Sequence, residues 1–104
     1  MTHGTTDLTI RMYGHELRLA EVPYTLEVDT DAGLWAYPNG DPGHPPTISA
    51  DITLDWSREE AVESVEAFFG ERGRTVPKWV RRQAEAIQDA ITEELNRLLW
   101  EGRI

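Results

Sequence analysis

The spacing of apolar residues changes once along this chain, between Trp56 and Ser57, and that change limits the possible folds more than any other feature. Before it, apolar side chains recur at every second residue. Leu8, Ile10 and Met12 alternate with Thr9, Arg11 and Tyr13; Tyr24, Leu26 and Val28 alternate with Thr25, Glu27 and Asp29. The cleanest case is Ile48, Ala50, Ile52, Leu54 and Trp56 against Ser49, Asp51, Thr53 and Asp55. A period of two marks strands with one face buried. Leu17 and Leu19 continue the pattern after a tight turn expected at Gly14-His15, and Glu21-Val22-Pro23 interrupts it, which predicts a bulge or bend. Asp29-Thr-Asp-Ala-Gly33 is turn chemistry. Leu34 to Tyr37 reads as a short strand in which Trp35 and Tyr37 compete with Leu34 and Ala36 for the inside. Residues 38–47 hold four of the six prolines, so they are expected to form an exposed, partly polyproline-like loop.

After Trp56 the period becomes helical. Ser57 and Glu60 form a capping box, with Ser57 as N-cap, and Ala61, Val62, Val65, Phe68 and Phe69 supply an apolar stripe. Gly70 or Gly73 stops this helix. A second helix is expected from Pro77 to about Trp100, with Gly102 just past its end. Val80, Ala84, Ile87, Ile91, Leu95 and Leu98 share one face of it. Strands gathered first and helices last argue for an α+β domain. The expectation is a single domain, residues 1–104, with an antiparallel sheet of about four strands (residues 7–56) covered on one face by two helices (about 58–70 and 77–100).

Composition narrows the function classes. No cysteine is present, which removes disulfides and thiolate chemistry and suits a reducing, cytoplasmic location. No apolar run is long enough to span a membrane, and the first residues do not resemble a secretory signal. The formal charge is −9, which repels nucleic acid and anionic lipid and favours a basic partner. Nine of the ten basic residues are Arg, the mark of a GC-rich genome rather than of a mechanism.

The histidines His3, His15 and His44 lack ligand-like neighbours and are expected in exposed turns or termini. Asp29 to Gly33 opens like a calcium loop, but the sixth and twelfth positions hold Leu34 and Gly40 where Gly and Glu are needed. No nucleophile elbow, phosphate loop or zinc motif occurs, so no catalytic residue, metal or cofactor is expected. Two features remain. Asp51 and Asp55 share a strand face about 13 Å apart, too far for a glycosidase pair. With Glu27 and Asp29 they make an acidic platform, either a solvated face or an array that imitates spaced phosphates. Residues 72–82 carry five basic and no acidic side chains: Arg72, Arg74, Lys78, Arg81 and Arg82. Several of these stand at a helix N-terminus, where positive charge is unfavourable. They either neutralise Glu59, Glu63 and Glu66 on the first helix or form an anion patch.

Trp100 falls opposite the apolar stripe, so it is either covered by the C-terminal tail or an exposed anchor. A continuous helix over 77–100 would be about 36 Å long. It would leave Leu98, Leu99 and Trp100 uncovered, which predicts a homodimer interface there. The reading that results is a non-catalytic acidic protein, a phage or mobile-element inhibitor, engaging a basic nucleic-acid-handling or host-defence protein through Glu27, Asp29, Asp51 and Asp55, with Trp100 and Leu99 as further contacts. The alternatives are a structural or assembly protein that self-associates through the long helix, and a small enzyme whose site only folding would assemble.

Overall fold

A computed structural model of the chain describes residues 1–36 and 38–104, with the backbone alone at 34–36. Among the described residues, five strands are followed by three helices: β1 (Thr2–Met12), β2 (His15–Asp31), β3 (Leu34–Ala36), β4 (Pro42–His44), β5 (Thr47–Leu54), α1 (Arg58–Glu71), α2 (Trp79–Arg82) and α3 (Ala84–Trp100). The expected α+β class is what forms. The main sheet is antiparallel in the order β1-β2-β5, and β3 and β4 pair separately.

Four local expectations need correction. First, β1 begins at Thr2 rather than near residue 7; the bulge or bend expected at Glu21-Val22-Pro23 does form, inside one unbroken strand, β2. Its apolar residues change from odd to even numbers because Ala20 and Glu21 together oppose Asp7, a β-bulge between the pairs Leu8↔Leu19 and Thr6↔Val22. Glu21 takes φ 52° there, and its N–H donates to Asp7 Oδ1 at 2.9 Å. The bulge keeps Leu17, Leu19 and Val22 on one buried face. Second, the β1–β2 turn is Tyr13-Gly14, one residue earlier than expected. Met12 pairs with His15, and the two turn residues have φ 49° and 77°, as a two-residue hairpin requires. Third, the proline-rich stretch is not all loop, because Pro42–His44 pairs with Leu34–Ala36. The facing of side chains over Leu34–Tyr37 lies outside the described residues. Fourth, the second helix is broken at Gln83 (φ −110°, ψ 34°), which separates the single turn of α2 from α3. No Gly or Pro marks the break.

The helix ends follow the sequence signals. Ser57 Oγ accepts from Glu60 N–H, and Glu60 accepts in return from Ser57 N–H. At the end of α1, Gly73 (φ 65°) lets its own N–H reach Gly70 O and that of Arg74 reach Phe69 O. Gly102 repeats the arrangement after α3, with Gly102 N–H to Leu99 O and Arg103 N–H to Leu98 O.

The core joins Leu8, Ile10, Leu17, Leu19, Val22, Ile52 and Leu54 of the sheet to both long helices. From α1 come Val62, Val65, Phe68 and Phe69, and Ile87, Ile91, Leu95 and Leu98 come from α3. Each such side chain contributes about 1.5–3 kcal/mol on burial. The helices cover only part of the sheet. A seventeen-residue strand at about 3.3 Å per residue outruns them. Beyond Leu26 and Ile52 the ladder of β2 and β5 projects as an arm with Val28 53% and Ile48 77% exposed. The molecule measures 67 × 22 × 21 Å with a radius of gyration of 19.0 Å. A compact chain of this length would have one of about 13 Å.

Candidate functional site

The register of β2 against β5 builds the acidic face. Thr25 pairs with Thr53, Glu27 with Asp51, Asp29 with Ser49 and Asp31 with Thr47, so these side chains share one side of the ladder. Glu27 and Asp51 are directly opposite each other. Side chains so placed have Cβ atoms about 4.5–5.5 Å apart, and like charges there destabilise the sheet. Glu27, Asp29 and Asp51 are exposed, and no ion pair to them occurs among the described residues. Asp31 joins them on this face. The turn-like sequence around it concealed this, although the alternation Glu27, Asp29, Asp31 was the signal for it. Asp31 is partly occupied: Oδ1 accepts from Gly33 N–H at 2.9 Å, and Oδ2 lies 3.8 Å from His44 Nδ1.

Asp55 differs from the other three expected carboxylates. Both its oxygens accept from Thr25 Oγ1, at 2.9 and 2.8 Å, and His3 Nδ1 is 3.8 Å from Oδ2. It anchors the near end of the face, while Glu27, Asp29 and Asp51 form its free centre.

The basic segment divides. Arg81 bridges the helices, donating to Glu59 Oε1 at 3.3 Å and Glu66 Oε1 at 2.9 Å. Its pKa is held above the ordinary value by the hydrogen bond to Glu59, with the charge of Glu66 adding to it. Arg72 lies over the Phe68 ring, 3.8 Å from the centroid, and donates to Phe68 O. Arg74, Lys78 and Arg82 are exposed and make no ion pair among the described residues. Arg72 and Arg74 line an open hollow of about 400 Å³ with Arg18, Glu16, His15, Gly14 and Phe68. Arg18 belongs to β2 and gave no sign of this association in the sequence.

His15 is not the exposed turn residue expected. It begins β2, half-buried, and its ring sits edge-on to Phe69 at 5.3 Å and 6.1 Å from Trp79. Trp79 in turn packs against Tyr13 at 4.8 Å. No hydrogen bond joins His15 to a carboxylate among the described residues. A wider groove of about 620 Å³ runs between β1 and α3, where Arg97 lines it bonded to Glu94 and Glu101. Among the described residues no three His, Cys, Asp or Glu side chains gather as a metal site, and no helix is long and apolar enough to cross a membrane.

The expected apolar patch at the C-terminus is smaller than the sequence implied. Leu98 is only 5% exposed, Leu99 packs partly against the core, and Ile104 returns to it. The seating of α3 on β1 and β5 and the return of Ile104 cover this region. Trp100 alone stands in solvent, 84% exposed.

Comparison with protein families, with curated proteins and with solved structures finds no match for this chain.

Proposed function

We propose that this chain is a non-catalytic binding protein that receives a basic protein partner on the acidic face of its arm. The observation that carries this reading is the pairing of Glu27 with Asp51 at the centre of a projecting ladder. The arrangement costs the fold stability, and neither side chain is compensated by a cation among the described residues. Local choices that work against the fold tend to mark function. The carboxylates of Glu27, Asp29 and Asp31 repeat every second residue, about 6.7 Å apart, on a hydrogen-bonded frame. A regular row of negative charge of this kind resembles what a nucleic-acid-binding protein meets in its ligand. The specific form of the proposal is therefore an inhibitor of phage or mobile-element type. It would occupy the basic site of a nucleic-acid-handling or defence protein in a reducing, cytoplasmic compartment.

Charge complementarity acts mainly on association rate and specificity. The test is capture of partners from lysate at low and high salt, using the native chain and the variant Glu27→Gln, Asp29→Asn, Asp51→Asn, Asp55→Asn as baits, followed by kinetics on the captured protein. The expected result is an on-rate lowered by about tenfold or more and a flattened salt dependence in the variant. Unchanged kinetics would reject the reading.

The second reading, self-assembly, keeps one supporting observation, the exposure of Trp100. Light scattering of the native chain and of Trp100→Ala over a range of concentrations tests it. A dimer lost on substitution would favour this reading.

A further inference from the structure

The arm has an edge as well as two faces. Asp55 N–H donates to Pro23 O at 3.0 Å, so Asp55 turns its backbone toward β2. Backbone groups in an antiparallel ladder alternate in direction, so Thr53, Asp51 and Ser49 do the same. The N–H and C=O groups of Ile48, Ala50 and Ile52 therefore point away from β2. No strand pairs with that outer edge among the described residues, because β5 ends the order β1-β2-β5. Edge strands are usually blunted by Pro, Lys, a bulge or marked shortness. Thr47–Leu54 is eight residues long and contains no Pro, Lys or Gly, and its ladder with β2 has no register shift. Asp51 is its single charged residue.

We infer that the outer edge of β5 takes an extended segment of a protein partner by strand addition. Lys or Arg at alternate positions would lie on the acidic side, and β-branched apolar residues would fall between them. This inference rests on the proposed function and names the chemistry of the partner. A strand laid on this edge continues both faces of the arm. Its basic side chains would lie beside Asp51, with Glu27 and Asp29 one strand further in. Its apolar side chains would lie beside Ala50 and Ile48, whose side chains continue the core side of the sheet beyond the reach of the helices. Main-chain hydrogen bonds supply affinity in this mode, and alternate side chains supply specificity. Charge selects the occupant. Two copies of this chain joined along this edge as one antiparallel sheet would place both acidic faces side by side, and that repulsion opposes self-pairing.

The test uses the native protein and a short peptide alternating lysine with valine, a reordered isomer with all lysines first, and the alternating peptide N-methylated on the groups that would face β5. Affinity is read by titration, and amide exchange by NMR. The expected result is binding of the alternating peptide at least about tenfold tighter than its isomer, with no binding by the N-methylated form. Exchange at Ile48, Ala50 and Ile52 should slow. Ala50→Pro removes an outward donor and none that β2 uses, so it should block binding with circular dichroism unchanged; if it unfolds the chain, the N-methylated peptide decides alone. Equal binding of alternating and reordered peptides would overturn strand addition and leave the acidic-face reading standing. Failure of both to bind would overturn both.

Discussion

Arg81 and Arg82 are neighbours in sequence with opposite surroundings. Arg81 reaches two carboxylates on α1, whereas Arg82 is exposed and without an ion pair among the described residues. The charge pattern made intramolecular pairing with Glu59 and Glu66 legible, but not which arginine would make it. That choice depends on how α2 is seated against α1, since neighbouring side chains on a helix point about 100° apart. Arg81→Ala should lower the melting temperature slightly, more at low salt than at high, because exposed pairs are weak and screened. Arg82→Ala should leave it unchanged. Thermal unfolding of both variants at two salt concentrations checks this, and equal effects would contradict the assigned pairing. His15 shows the same limit of residue-level reading. Its short-range neighbours are turn-like, and only the hairpin brings it to Phe69 and Trp79.

At the level of elements, the capping box, both glycine stops, the buried stripe of α3 and the alternation of β5 were legible, because each is set by residues within a turn or two of one another. The interruption of β2 was legible as a bulge or bend, but not its place or kind. Its apolar positions shift phase at Ala20-Glu21, and a phase shift in sequence does not say whether the strand bulges or turns aside. Only pairing with Asp7 shows that one extra residue has been absorbed. The carboxylates of the arm were legible as a face within each strand, but the meeting of Glu27 with Asp51 required the register. That meeting gives an element-level expectation. Glu27→Lys places opposite charges across the ladder and should raise the melting temperature while slowing association with a basic partner. A variant that is both less stable and unimpaired in binding would remove the argument that this pair is retained for function.

The whole molecule departs furthest from what length alone suggests. A chain of 104 residues is expected to be compact, yet the radius of gyration is 19.0 Å and the longest dimension 67 Å. The reason is a mismatch of lengths: β2 has seventeen residues, while α3, also seventeen, advances only about 1.5 Å per residue against about 3.3 Å for a strand. Small-angle X-ray scattering of the monomer should return a radius near 19.0 Å and a skewed distance distribution extending to about the long dimension. A radius near that of a compact domain would mean that the arm folds back on the helices. The arm also has few buried side chains, and regions of that kind open locally at low free-energy cost.

The turn at Tyr13-Gly14 sets an order of assembly in time. Two residues close the hairpin of β1 and β2, and hairpins form within about 1–10 μs. The pairing of β2 with β5 must wait for the chain to return over residues 32–46, and a longer excursion costs more closure entropy. The hairpin is therefore expected in the folding nucleus: substitutions in it should slow folding, whereas substitutions in the far ladder should chiefly speed unfolding, as folding and unfolding rates of both sets of variants would show. The edge and face that would meet a partner are then the last part of the molecule to come into being and the first to come apart.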